Sequence, residues 1–311
     1  MSLNLMPRML LYAETVARLG SIQAASRSLR IAASAIDRQI IALEEDCQTP
    51  LFERHARGMR LTTAGEAVIL VARRWRTDQE RLEEELRTMR GEQFGTVRMG
   101  SMDSLSNSVL PEFVRFFAAS HPRIRFAIDV MTPREAAQEL EAGVIDLALA
   151  FNLPADSARH VLWSAPLPFG CIVGRDHPLW GAQETTLADA AKYPLAAQSR
   201  ALPVREYLDR RYGWLFDPAT PVLVTNSLQV LKQVVIDGPF LAITSQLDAI
   251  RELEEKLLNF VPLKDRGLAP QTISVAVDAR RPLARAARLV GEALSISLPA
   301  RLERLSSPLD E

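Results

Sequence analysis

Along the first 65 residues the apolar positions repeat at helical spacing in three short runs. Leu10, Leu11, Ala13, Val16 and Leu19 form the first, which stops at Gly20, a residue suited to a helix end. Ser21 is placed to cap a second helix over Ile22–Leu29, with Ile22, Ala25 and Leu29 inward. After a break at Arg30–Ala32, Ala33–Glu45 carries Ala35, Ile36, Ile40 and Leu43 on its inner side, and Thr49-Pro50 closes it. Leu51-Phe52 and the run Arg54–Thr62 predict two short strands around a turn containing glycine. From Glu66 to Arg90 there is neither Gly nor Pro. There Val68, Ala72, Trp75, Gln79, Leu82, Leu86 and Met89 fall at alternating four-three spacing, the seam of a coiled coil. Six arginines and six acids crowd the same stretch, so the spacing predicts a long helix that needs a partner rather than one packed only on its own domain.

Beyond Gly91 and Gly95 the texture changes. Strands are predicted over 96–100, 124–130, 145–151, 170–173, 194–198, 222–225, 240–244, 259–262 and 272–277. Helices are predicted over 108–119, 133–142, 187–192, 203–212, 228–236, 245–257 and 282–295. Such alternation predicts parallel sheets covered on both faces, here as two α/β lobes. Ligands of open α/β sheets bind outside the carboxyl ends of strands. The short polar residues at those ends are Ser101, Met102 and Asp103, then Thr132 and Asn152, and in the second lobe Gln198, Ser199, Arg200 and Asn226. Arg200 hints at an organic acid as ligand, with surface salt bridging as the competing reading.

Composition changes this picture little. The chain has 311 residues, 48% hydrophobic and 24% charged, which excludes a disordered, collagen-like or disulfide-scaffold protein. Its net charge of −1 names no partner, but residues 1–65 hold eight Arg against six acids, a mildly basic end. Cys47 and Cys171 have no ligand neighbour at metal-site spacing, and no disulfide framework, metal site or cofactor signature is read. Neither a signal peptide nor a membrane span is predicted, so the expectation is a cytoplasmic protein with no membrane partner. No G-x-S-x-G, P-loop or H-E-x-x-H run occurs, and the reading is not an enzyme. Asp146, heading a buried strand, is read as a structural carboxylate, and His177 as a turn residue.

The chemistry-bearing segment is residues 21–45. Its second helix turns Ala33, Ser34, Asp37, Arg38 and Gln39 outward, a short polar face of the kind that enters a DNA major groove. Arg54, Arg57 and Arg60, at every third residue, are placed to neutralise flanking phosphates. A plain three-helix domain with a solvated face remains open on these grounds alone.

Gly20-Ser21, Ala24-Ala25, Leu29, Arg38-Gln39-Ile40, Leu43-Glu44, Pro50-Leu51-Phe52-Glu53-Arg54, Arg57-Gly58 and Leu61-Thr62-x-Ala64-Gly65 resemble the N-terminal signature of LysR-type transcriptional regulators. Further on, the stretch from Leu110 to Phe126, Gly143-Val144-Ile145-Asp146-Leu147 and His177-Pro178-Leu179 resemble later parts of that family. The resemblance implies a winged helix-turn-helix over 5–65, a linker and dimerisation helix over 66–92, and an effector-binding domain of periplasmic-binding-protein type over 95–305. Lobe I would take 95–166 and 266–305, and lobe II 167–265. Ser21 and Thr62 join the DNA-facing set, and Ser101 and Ser199 match where the family's ligand contacts fall. The implied function is a sequence-specific DNA-binding regulator controlled by a small-molecule effector. Its partners would be double-stranded DNA, the effector, and a second copy through Val68, Ala72, Trp75, Leu82, Leu86 and Met89, with homotetramers beyond the homodimer. Three departures stand out, one being Gly238-Pro239, which stands where a second glycine often appears two residues on. Asp37 occupies a place where the family usually has Ser, its charge expected to be tempered by Arg38, and Cys47-Gln48 replaces a common Leu-Gly ending. The alternative is an α/β solute-binding or enzymatic protein with an appended helical interaction domain.

Overall fold

Local chemistry sets the ends of the first helices. In the computed structural model, which describes residues 5–55, 58–89, 95–107, 109–200, 202–213 and 223–306, α1 (Arg8–Leu19) ends at Gly20 with φ +67°. Ser21 Oγ accepts from Ala24 N and opens α2 (Ile22–Leu29), which stops at a left-handed Arg30. α3 (Ala33–Asp46) follows, and Ile36, Ile40 and Leu43 from it meet Tyr12, Ala13 and Val16 of α1 and Ala25 of α2. Each such aliphatic side chain contributes about 1.5–3 kcal/mol by leaving water.

A hairpin of β1 (Phe52–His55) and β2 (Gly58–Leu61) pairs Phe52 with Leu61 and Arg54 with Met59. Gly58 has φ +134°, and a Cβ there would lie 2.4 Å from the Gly20 carbonyl oxygen. That close approach lets Met59 N donate to Gly20 O at 2.8 Å, tying the hairpin to the α1–α2 turn. α4 (Thr63–Met89) then starts at Thr62, whose hydroxyl accepts from Gly65 N and donates to Pro50 O.

The proposed seam of α4 divides. Ala72 is fully buried and Val68 packs on the same core as Ile69, so neither is available to a partner. Gln79 Oε1 accepts from Leu5 N and Met6 N. The exposed apolar line is rotated, running through Val71 (55% exposed), Trp75 (43%) and Leu82 (38%). Leu86 is half-buried, and the side chain of Met89 lies outside the described residues. The cause is that α1 takes the inner face of the first turns of α4.

Contacts divide the chain into two units, Met1–Phe94 with Ala142–Val144, and Gly95–Glu141 with Ile145–Glu311. The second unit begins with β3 (Gly95–Ser101), α5 (Asp103–Ser106), α6 (Val109–Ser120), β4 (Ile124–Val130), α7 (Pro133–Ala142), β5 (Leu147–Phe151) and β6 (Arg159–Leu167). The chain crosses to a second lobe with β7 (Phe169–Gly174), α8 (Leu187–Ala190), β8 (Ala196–Gln198), α9 (Pro203–Tyr212), β9 (Leu223–Thr225) and α10 (Leu228–Asp237). There follow β10 (Leu241–Ser245), a 3₁₀ turn at Gln246–Ala249, α11 (Ile250–Glu254) and β11 (Leu258–Pro262), before β12 (Gln271–Asp278) and α12 (Arg285–Ser306) return to the first lobe.

The first sheet has the order β4-β3-β5-β12-β6. The apolar run of β5 is buried throughout, as a strand covered on both faces must be. The expectation of parallel sheets holds for β3, β4 and β5 and for β8 with β9, and fails elsewhere. β12 runs antiparallel to β5 and β6, and β10 and β11 run antiparallel to β7. β12 arrives from the other lobe rather than through a crossover helix on its own sheet, so no parallel pairing is imposed on it. β6 went unread because its faces are mostly half-exposed and Pro166 interrupts its pattern. The predicted helix over 245–257 is instead a 3₁₀ turn and a five-residue helix, set by a capping box of Ser245 and Asp248. The predicted helix over 282–295 continues through Pro299 to Ser306.

Candidate functional site

Two places in the molecule gather polar side chains with work to do. On α3, Ser34 and Arg38 are exposed and Ala33, Asp37 and Gln39 half-exposed, opposite the buried Ile36 and Ile40. Arg38 Nε donates to Ser34 O at 3.3 Å, while Arg54 Nη2 of β1 donates to Asp37 Oδ1 at 2.7 Å. The acid of the helix is therefore neutralised by the hairpin, not by its neighbour on the helix. The hairpin register puts Arg54 on the face of Phe52, Met59 and Leu61, and Arg60 on the opposite face with Glu53.

The second place is a cavity of about 240 Å³ between the two lobes of the second unit. Met102, Val130, Met131 and Phe151 from the first lobe and Leu202, Val204 and Leu228 from the second make its apolar wall. Among the described residues its charged lining is acidic, comprising Asp103, Glu135 and Asp248. Asp103 Oδ2 accepts from Leu228 N at 3.4 Å, so a carboxylate of lobe I faces the first turn of α10 in lobe II. Glu135 accepts from Thr132 N and Oγ1 at the start of α7, and these bonds hold its carboxyl below the usual range. Asp248 is 3% exposed, and burial pushes its carboxyl up against the pull of its hydrogen bonds. Its Oδ2 accepts from Thr244 Oγ1 and from Ser245 N (3.0 Å) and Oγ (2.9 Å), and the Ser104 side chain is a further hydrogen-bond partner of the carboxyl.

A helical reading unit followed by a two-lobed binding unit is also what the chain matches by comparison. Residues 7–66 match the family model of the bacterial regulatory helix-turn-helix protein, lysR family, and residues 90–297 match the LysR substrate binding domain. The chain belongs to the LysR family. This LysR-type transcriptional regulator is 26% identical over 251 residues to the HTH-type transcriptional regulator GalR of Pseudomonas putida, covering 80% of this chain and 63% of that one. It is 26% identical over 245 residues to the RuBisCO operon transcriptional regulator of Allochromatium vinosum, covering 79% and 81%. Among solved structures, full-length CbnR complexed with its target DNA has the same fold, with a TM-score of 0.67 and 22% identity over 93% of this chain and 99% of that one. A full-length OxyR variant from Pseudomonas aeruginosa gives 0.65 and 16% over 92% and 93%.

In this LysR-family chain the structure brings Met102, Asp103, Thr132, Gln198 and Asn226 together around the cavity. It leaves four of the expected effector residues off its wall. Ser101 is fully buried at the end of β3, its hydroxyl without a partner. Asn152, with φ +49°, exchanges hydrogen bonds with the Thr272 backbone and so serves a turn. Ser199 joins β9 through its backbone, with N donating to Thr225 O. Arg200 is 80% exposed and pairs with Asp209 at 3.2 Å, the salt-bridge reading of that residue. Among the DNA-facing set, the Ser21 and Thr62 hydroxyls are engaged in capping, and Arg57 lies outside the described residues. Sequence reasoning missed Asp248, Glu135 and the apolar wall apart from Met102. Glu135 carried a signal, since Thr132-Pro133-Arg134-Glu135 is a capping-box pattern.

The remaining reactive groups are structural. Asp146 Oδ2 accepts from Arg98 N at 2.8 Å. His177 Nδ1 accepts from Leu179 N, and burial lowers its pKa. Burial pushes the Cys171 thiol up to about 12, which leaves it unreactive at neutral pH. Among the described residues no group of three His, Cys, Asp or Glu is placed to hold a metal ion, and no helix is long and apolar enough to cross a membrane.

Proposed function

We propose that α3 enters the major groove of an operator, with Ser34, Arg38 and Gln39 facing base edges and phosphates, and that the inter-lobe cavity holds the effector that controls this binding. The observation that carries the reading is the polar face of α3, opposite a fully apolar inner face and flanked by an arginine-bearing hairpin. The protein then acts by binding rather than by catalysis, in the cytoplasm, with DNA as its macromolecular partner. Residues 5–65 form the reading domain, 66–92 the linker helix and 95–305 the sensing domain, its lobes meeting near 167 and 265. β6 ending at Leu167 and β11 ending at Pro262 support that division.

The test is a mobility shift on duplex DNA flanking the protein's own gene, repeated across a salt series. A shift at nanomolar protein is expected, and Arg38→Ala should reduce the slope of log K against log salt by about one. No shift on any flanking duplex, or a slope indifferent to Arg38→Ala, contradicts the placement of α3.

A second reading concerns assembly. The line Val71, Trp75 and Leu82 along a 27-residue helix is apolar surface that a second copy of α4 covers well, giving a homodimer. Two-fold symmetry then predicts half-sites one or more helical turns apart. The homotetramer implied by the family resemblance would need a further interface. Sedimentation should show Trp75→Glu shifting the protein toward monomer, while Ala72→Glu, at a buried site, should unfold the reading unit instead.

A further inference from the structure

Glu14 is an acid on a buried turn of α1. Its neighbours Tyr12, Ala13 and Val16 belong to the apolar core of the reading unit, and Glu14 itself is 2% exposed. Its Oε1 accepts from Arg76 Nη1 of α4 at 3.0 Å, across 62 positions of sequence. Glu80 of α4 lies 4.0 Å from Nε of the same guanidinium. Further along α4, Gln79 Oε1 accepts from Leu5 N and Met6 N, in the segment that leads into α1. On the other side of Arg76, Val68 and Ile69 pack α4 on the same core and Ala72 is fully buried. α4 is thus held to α1 by apolar contacts first and by polar ones beyond them. The two kinds of contact do different work. Desolvation offsets most of the attraction within a buried ion pair, so replacing both partners by apolar residues is often neutral for stability. The best-attested use of such a pair is to select one arrangement among those that apolar packing alone accepts. Aliphatic contacts re-pack when two helices change their crossing angle, whereas a buried carboxylate cannot part from its guanidinium without cost.

We propose that the Glu14–Arg76 pair is a positioning element for DNA recognition, fixing the angle at which α4 leaves the reading unit and thereby the half-site spacing that a dimer accepts. This rests on the readings of α3 as the groove helix and of α4 as the dimer helix. α3 packs on α1 through Ile36, Ile40 and Leu43 against Ala13 and Val16, so α1 carries α3, and the ion pair joins α1 to α4. Glu14 is buried and acts only through the helices it joins. In a two-fold dimer each α3 sits where the α1–α4 angle puts it, and the displacements of the two copies add. Successive base pairs are about 3.4 Å apart, so a change of that size between the two α3 helices moves the preferred spacing by one base pair.

The experiment uses the full chain and the operator located by footprinting on DNA flanking its own gene. Duplexes carry the native distance between half-sites, or that distance with base pairs added or removed. Binding is read by mobility shift for wild type, for Glu14→Leu combined with Arg76→Leu, and for Arg76→Lys. Misplacing a half-site by one base pair should cost wild type about tenfold or more in affinity. The double variant fills the site without charge, so it should stay folded and dimeric and bind its best spacing about as tightly as wild type. Its penalty for the same misplacement should fall to about threefold or less. Arg76→Lys keeps the charge on a looser stem and should lose part of the preference, and it decides the matter if the double variant does not fold. A wild-type spacing preference retained in the deciding variant overturns the proposal. So does a loss of affinity equal at every spacing, which is what a purely structural pair would give. Wild type that binds as a dimer without preferring a spacing overturns the pair's role alone. Wild type that binds no flanking duplex, or binds as a monomer, overturns the reading of α3 or of α4 and the proposal with it.

Discussion

The face of α3 and the inter-lobe cavity each hold a carboxylate that chemistry must account for, and the two are handled in opposite ways. Asp37 is about one-third exposed and carries its own counter-ion, Arg54, at 2.7 Å. Water screens both groups, so the pair holds little stability and can be exchanged for a phosphate at small cost. Asp248 is buried and is held by hydrogen bonds from Thr244, Ser245 and Ser104 rather than by a counter-ion. A surface that must meet a polyanion keeps its charges replaceable. A cavity wall with no cation among its described residues holds its buried acid by hydroxyl and amide donors instead. In the same unit the buried Lys232 of α10 is instead paired with Glu252 of α11 at 2.6 Å.

The largest expected effect sharpens that contrast. Lys232→Ala strands Glu252, whose Oε2 already lacks a partner and whose side chain is only 13% exposed. Breaking a buried ion pair costs about 3–5 kcal/mol, read as a lowered unfolding midpoint in urea. Replacing both partners, as Lys232→Met with Glu252→Leu, should recover most of the loss. If Lys232→Ala changes stability no more than a surface variant does, the two regions do not differ as argued.

Next in size is Asp248→Asn in the absence of ligand. Burial raises the folded-state pKa above the ordinary 3.8, so the native state binds the proton more tightly than the unfolded chain. Stability from this group is thus fullest at the acid end, and falls as pH rises from about 3.8 through the folded-state value. Asparagine keeps the neutral shape at every pH. The variant should be more stable than wild type at pH 8, by about 1 kcal/mol, with the difference shrinking toward pH 5. A variant less stable than wild type at pH 8 would mean that the hydrogen bonds to the carboxylate outweigh the cost of its burial.

Where the sequence was legible, short-range chemistry was deciding the outcome. Gly20, Ser21 and the spacing of Ile36, Ile40 and Leu43 announce the helices of the reading unit because each acts on its own turn of chain. Met102, Asp103, Thr132, Gln198 and Asn226 were legible as strand-end residues of an α/β fold. Asp248 was not, because 245–257 carries the pattern of one continuous helix, which hides the turn that buries the acid. Its burial comes from α5 packing on the 3₁₀ turn, a contact between segments some 140 positions apart. The N-terminal part of the α4 seam was misplaced for a related reason: four-three spacing finds the apolar line but not how much of it α1 has already covered. Gln48, standing where the family resemblance implies glycine, does adopt φ +52°, so that departure has a local cost. Gln48→Gly should raise stability by about 1 kcal/mol, measured by thermal unfolding.

The smallest change in stability, and the most informative about DNA, belongs to Asp37. Both partners of its ion pair are partly exposed, so Asp37→Ser should alter the unfolding free energy by less than about 1 kcal/mol. Its effect on DNA binding has a different origin. Freed from Asp37, the Arg54 guanidinium becomes available to a phosphate, which should add about 0.9 to the magnitude of the salt slope and tighten binding to all sequences alike. Arg54→Ala does the reverse, leaving an uncompensated carboxylate on the helix that approaches the backbone, and should weaken binding without sequence preference. The double variant should restore the wild-type slope, because it removes the competitor and the contact together. A salt slope unchanged by Asp37→Ser means that Arg54 does not reach the backbone. Asp37 would then be read as a base-contacting acceptor, relaxing preference at a single cytosine when replaced.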